Sequence, residues 1–201
     1  MAGKRPDNAQ FFERSHRADL GGAGLGWRSE FMNEGQVNSK RQSAYFHVRP
    51  VRREDWEAVA ALASKSVSVS CTPLDDMPAE ELQLQARREA LALLHRSEAA
   101  PELRVWVAED ATGLRGYLIA DLGAKSAVSG RPQAFIVDVA LTPARGARQV
   151  AAALVEEAIK CAKAQGVESI SAAITVHNRK SLEMARALGF EVMRYEVARR
   201  C

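Results

Sequence analysis

The chain has 201 residues, 47% hydrophobic and 26% charged, which suits one core-forming domain with an appendage and excludes a large multidomain enzyme. No apolar run approaches the roughly 18 residues that a bilayer requires, and the opening MAGKRPDNAQ FFERSHR lacks the apolar segment of a secretory leader. Twenty-eight Lys and Arg against 25 Asp and Glu leave a net charge of +3, spread too evenly to favour a nucleic-acid partner.

The three cysteines, Cys71, Cys161 and Cys201, are far apart and form no CxxC pair. They fit neither a disulfide framework nor a metal site, and the expectation is a soluble protein of a reducing, cytoplasmic compartment.

Residues 1–44 read as an N-terminal extension. Six of the 13 glycines fall in the first 45 residues, which show no sustained periodicity and carry seven Lys or Arg against five Asp or Glu. Phe11, Phe12, Leu20, Leu25, Trp27, Phe31 and Met32 are anchors that a purely polar linker lacks. They suit docking on a protein partner, on a second copy or on the body of the chain; a loose terminus with incidental aromatics is the alternative.

Residues 45–201 read as punctuated elements. Tyr45 to Arg49 predicts a strand, Glu54 to Ser64 a helix with Trp56, Val59, Ala60 and Ala63 on one face, and Ala79 to Arg96 a second helix. Leu103 to Glu109 and Leu114 to Leu122 form a hairpin around an Asp-Ala-Thr-Gly turn. Ala134 to Leu141 is an apolar strand interrupted by one carboxylate, Asp138. Ala147 to Gln165 is a helix stopped by Gly166, and Ser169 to Val176 another strand. Asn178 is placed to cap a helix over Lys180 to Leu188, and Val192 to Val197 closes with a strand. A mixed α/β (α+β) sheet with helices on both faces buries such a series.

Two strand-to-helix junctions concentrate the chemistry. A helix start presents unpaired N–H groups and the positive end of the dipole, so each junction is a ready anion site. The first, Leu141 to Val150, also holds Arg145, Gly146 and Arg148. The second runs from Val176 to Ser181 and contains His177.

From Phe46 to Val197 the order of elements resembles the GNAT family of acyl-CoA N-acyltransferases. AFIVDVALTP resembles the family's fourth strand, with Leu141, Thr142 and Pro143 where Val-x-Pro is usual. ALVEEAIKCAKAQGV resembles the helix that follows, and Asn178, Ser181, Leu188, Gly189 and Phe190 fit its N-x-x-[AS]…L-G-F segment. The family's pyrophosphate motif, Q/R-x-x-G-x-G/A, places Gly146 at the Q/R position, Gln149 at the first glycine and Ala151 at the last, so only Ala151 matches. Ala185 stands where many members carry the tyrosine that reprotonates the departing thiolate.

The resemblance implies acetyl-CoA as co-substrate and an amine as acceptor. Amides of Val139, Ala140 and Leu141 would hold the pantetheine and thioester, and Arg145, Gly146, Ala147, Arg148, Gln149, Val150, Ala151, Asn178 and Ser181 the rest. Asp138 is the first candidate for the base, because burial in an apolar strand raises a carboxyl pKa; a structural bond to the neighbouring hairpin or to Arg115 is its alternative. His177 is a second candidate by its intrinsic pKa, against an exposed loop histidine. Tyr117 and Glu109 are weaker ones. The expected activity is direct transfer of an acetyl group in a ternary complex. The competing expectation is a catalytically silent scaffold of the same fold, docked into a larger assembly through the extension.

Overall fold

The computed structural model describes residues 46–71, 77–126 and 128–194. The extension and its anchors lie outside the described residues, as do Tyr195 to Val197 of the expected last strand and Cys201.

Among the described residues five strands form one sheet in chain order: β1 (His47–Pro50), β2 (Leu103–Asp110), β3 (Gly113–Asp121), β4 (Ala134–Leu141) and β5 (Ile170–Ala172). The first four are antiparallel and β5 joins β4 in parallel. The helices are α1 (Trp56–Ser66), α2 (Ala79–Ala99), α3 (Ala147–Ala164) and α4 (Arg179–Ala187).

Period-two alternation sends neighbouring strand residues to opposite faces, and each face has its own core. Val105, Val107, Tyr117, Ile119 and Ala140 pack with Val59, Ala60 and Ala63 of α1 and Ala90 and Leu94 of α2. Trp106, Ala108, Leu118, Ala120 and Ile136 pack on the other face with Val150, Leu154, Val155 and Ala158 of α3. The mixed sheet covered on both faces is the architecture expected from the sequence.

Several boundaries move. The first helix opens with a 3-10 turn at Arg53–Asp55, and α2 runs on to Ala99. His95 sets its ring edge-on to Trp56 at 4.5 Å, which makes it a packing residue between α1 and α2. The larger correction concerns the end of the sheet: of the expected strand from Ser169 to Val176 only Ile170–Ala172 pairs as a strand, and Val192 to Arg194 is irregular. β5 pairs with Ala134, Phe135 and Ile136 and leaves β4 beyond that point.

Candidate functional site

The centre of the site is set by a fault in the β3–β4 ladder. Ile119 faces Asp138, but the next residue, Ala120, faces Ile136, so Val137 is an extra residue on β4. Such a bulge reverses the phase of the strand beyond it. Ile136 belongs to the α3 core, while Val137 packs against the α1/α2 core. Asp138, opposite Ile119, follows Val137 onto that same face.

There the Tyr117 hydroxyl donates to Asp138 Oδ2 at 2.5 Å. Tyr117 is 0% exposed, and burial, reinforced by the neighbouring carboxylate, pushes its phenol well above the ordinary range. Burial is also the largest influence on Asp138 and raises its pKa, while the Tyr117 hydrogen bond and the nearby Val139 amide pull the other way. The result is a carboxyl group oriented by one fixed donor and poised above the ordinary Asp range. The bond to Tyr117 is the one to the neighbouring hairpin that a structural carboxylate was expected to make, while Arg115 bonds Asp110 and the Arg145 carbonyl instead.

The departure of β5 exposes the backbone of β4 beside this carboxyl. The Thr142 amide donates to the Arg115 carbonyl at 2.8 Å, so by alternation the amides of Ala140 and Asp138 also turn to β3. Those of Val139 and Leu141 therefore point to the free edge. Val139 is 44% exposed, unusual for a valine inside a strand of a covered sheet. Of the three residues expected to hold a pantetheine arm, Val139 and Leu141 have their donors available and Ala140 does not.

The first junction presents backbone donors at the start of a helix. Gly146 caps α3 with φ +87°, a left-handed conformation that favours glycine. The Ala147 amide bonds Ala144 and the Val150 amide bonds Gly146. The amides of Gly146, Arg148 and Gln149 have no acceptor among the described residues. Arg145, Arg148 and Gln149 are exposed, whereas Val150 and Ala151 turn their side chains into the core. The Gln149 Oε1 lies 3.8 Å from where a Gly146 Cβ would stand. Its side chain leans over the cap from the exposed side, and the helix turn itself forms as well as a glycine would allow.

At the second junction Asn178 is the N-cap of α4, its Oδ1 accepting from the Ser181 amide at 3.2 Å. That bond spends the Asn178 carbonyl and the Ser181 amide on shaping the turn. His177 is exposed and makes no side-chain hydrogen bond among the described residues, which fits the loop alternative. Glu109 is also accounted for: it accepts from Arg49 and faces His47 on the β1 side of the sheet. Among the described residues no group of three or more His, Cys, Asp or Glu could hold a metal ion, and no helix is long and apolar enough to cross a membrane.

A model of the GNAT acetyltransferase family matches residues 70–190. The chain belongs to that family. Solved structures agree on the fold. The PaiA N-acetyltransferase of Thermoplasma acidophilum, determined with coenzyme A, has a TM-score of 0.61 at 18% identity, over 75% of this chain and 92% of its own. The aminoglycoside 6'-N-acetyltransferase AAC(6')-IG of Acinetobacter haemolyticus gives 0.58 at 18% identity, over 77% and 97%. AAC(6')-Iy, in complex with the bisubstrate analogue CoA-S-monomethyl-acetylneamine, gives 0.53 at 18% identity, over 79% and 99%. None of the curated proteins matches the sequence.

Acetyl-CoA fits the residues present. Three amides at the start of an 18-residue helix, without an acceptor among the described residues and flanked by the Arg145 and Arg148 guanidinium groups, are a donor set that suits a diphosphate. The free edge at Val139 and Leu141 suits an extended amide-bearing arm.

Proposed function

We propose that this GNAT protein is an N-acetyltransferase that moves the acetyl group of acetyl-CoA to an amine by direct attack in a ternary complex. The observation that carries this reading is the Asp138 carboxyl, tied to Tyr117 at 2.5 Å on the strand whose edge β5 has left open. The bound thioester supplies an activated acyl group. Asp138, as carboxylate, accepts the proton that the attacking nitrogen sheds as the C–N bond forms and the C–S bond breaks. The thiolate leaves with the electron pair and takes a proton from water, since Ala185 has none to give. The Val139 and Leu141 amides supply donors to the pantetheine arm and to the carbonyl oxygen as it gains charge. Neither described cysteine, Cys71 or Cys161, belongs to β4 or to either junction, which supports direct transfer over an acyl-enzyme. Wide cysteine spacing supports action in a reducing, cytoplasmic setting.

A second reading, a silent scaffold docked through residues 1–44, is favoured by one observation: Ala185 on α4 offers no hydroxyl where many relatives have one.

Thermal unfolding with and without acetyl-CoA separates the two, with desulfo-CoA and ATP as controls. A ligand at a hundredfold excess over its Kd adds about 2.7 kcal/mol, which for a chain of this size raises Tm by roughly 5–11 °C. A CoA-selective rise of that order, followed by amine-dependent thiol release, is the expected result. No rise at millimolar acetyl-CoA overturns the enzyme reading in favour of the scaffold.

A further inference from the structure

The loop that carries the anion site is held from outside by one residue of the hairpin. In the β2–β3 ladder Ala108 faces Gly116 and Glu109 faces Leu114, so Arg115 is the extra residue of a second bulge. A bulge re-aims the side chain it releases. Arg115 Nη2 donates to the carbonyl oxygen of Arg145 at 2.9 Å, thirty positions along the chain. Its Nη1 pairs with the Asp110 carboxylate, and the two side chains are only 16% and 11% exposed. Asp110 is fixed in turn by the Thr112 amide at 2.7 Å and the Thr112 hydroxyl at 2.6 Å. These bonds hold Asp110 ionised down to a pKa of about 2.

The Arg145 carbonyl is the first atom pair of the peptide that ends at the Gly146 nitrogen. In a trans peptide the C=O and N–H point in opposite directions. Anchoring that carbonyl on Arg115 therefore turns the Gly146 amide away from the hairpin. Thr142 steadies the near end of the same loop, its hydroxyl donating to the Leu114 carbonyl at 2.9 Å. Arg115 itself has its charge balanced by Asp110 and is committed to a carbonyl, so it is not a free phosphate ligand.

We propose that Arg115, locked by Asp110, is a positioning residue for acyl-CoA: it orients the Arg145–Gly146 peptide so that the Gly146 amide joins those of Arg148 and Gln149 as donors to the diphosphate. The inference rests on the acetyl-CoA reading of the site. It also explains how the loop presents donors without the glycines of the family motif. The hairpin fixes the orientation of the peptide that enters Gly146, and no glycine is needed at Arg148 or Gln149 for their amides to face outward.

The test compares acetyl-CoA with S-acetylpantetheine, which keeps the thioester and lacks the diphosphate. Both are titrated into the full chain and its Arg115→Gln and Arg115→Lys variants, with Tm recorded for each. Arg115→Gln is expected to weaken acetyl-CoA at least tenfold and to leave S-acetylpantetheine within twofold. Arg115→Lys, which keeps one donor and the charge, should recover part of the loss. Asp110→Asn, which frees the guanidinium without removing it, should weaken acetyl-CoA in the same direction by less and serves if Arg115→Gln does not fold. Unchanged acetyl-CoA affinity in these variants, or equal loss of both ligands, overturns the role of Arg115 while the acetyl-CoA reading survives. A wild-type chain that binds neither ligand removes that reading, and the inference with it.

Discussion

Tyr117 and Asp138 lie on adjacent strands, and the Tyr117 hydroxyl donates to the carboxylate at 2.5 Å. This bond partly offsets the burial that raises the Asp138 pKa. Tyr117→Phe removes the donor, keeps the ring, and lets burial act unopposed by the hydroxyl. The Asp138 pKa then rises further, and a reaction that needs the carboxylate loses rate at a higher pH than before. The acid limb of the kcat/KM profile is expected to move to higher pH, with the plateau less affected. An unmoved limb would exclude Asp138 as the titrating group.

Asp138→Asn keeps the shape and an acceptor for Tyr117 but removes the base. Turnover is expected to fall by about 10²–10⁴, the usual worth of a general base, with the Kd of acetyl-CoA within twofold of wild type. Stability gives an independent reading. A carboxyl whose folded pKa is raised contributes stability that is present at low pH and lost as pH rises through the folded value. The asparagine variant should therefore melt at or above the wild-type temperature, by a margin that grows from acid to neutral pH. A lower Tm at neutral pH would show that the buried charge is better compensated than its surroundings indicate.

The strands, helices and two junctions were readable because period and punctuation are local. Apolar positions of α3 recur at helical spacing, Gly146 and Gly166 bracket it, and Asn178 caps α4 as its type and place suggested. What could not be read is phase. Val137 and Arg115 are each one residue too many for their ladders, and nothing in AFIVDVAL or LRGYLIAD marks a bulge, since it arises from pairing with a distant strand. Without the bulge Asp138 would have been placed on the α3 face, away from Tyr117. Because of it, a tyrosine that looked peripheral is the carboxylate's partner. β5 shows the complementary failure: Ser169 to Val176 has the composition of a strand, but the chain leaves β4 after Ala172. Propensity does not register where a neighbouring backbone diverges.

Gly116 is the residue across from Leu141 where β3 and β4 close up beneath the first turn of α3. A Cβ there would stand 2.8 Å from Leu141 Cδ2 and 2.9 Å from the Ala140 carbonyl oxygen, with Val150 at 3.4 Å. A side chain can swing aside, but the Ala140 carbonyl belongs to a paired strand and cannot. Gly116→Ala is expected to cost about 1–3 kcal/mol, the usual penalty of overpacking, measured by chemical unfolding. A neutral result would mean that β4 shifts freely at this point, which would also undermine the fixed position of the Val139 and Leu141 amides.

Arg49 ties three elements together. Its guanidinium donates to both oxygens of Asp55 at 2.6 and 2.9 Å and to both oxygens of Glu109 at 2.9 and 2.6 Å. Asp55 lies at the turn into α1 and also accepts from the Arg52 amide at 2.7 Å. The Arg49 bond is the main reason its pKa falls below the ordinary carboxylate range. A lowered carboxyl pKa contributes stability above the unfolded value that is lost as pH falls through the folded one. Arg49→Met strands a largely buried carboxylate, at a cost of about 3 kcal/mol at neutral pH, or roughly 6–12 °C in Tm. Below the folded pKa of Asp55 both proteins carry a neutral carboxyl, so the difference in Tm should shrink as pH falls toward 3. A difference that stays constant with pH would mean that Arg49 acts through packing of its alkyl stem rather than through charge.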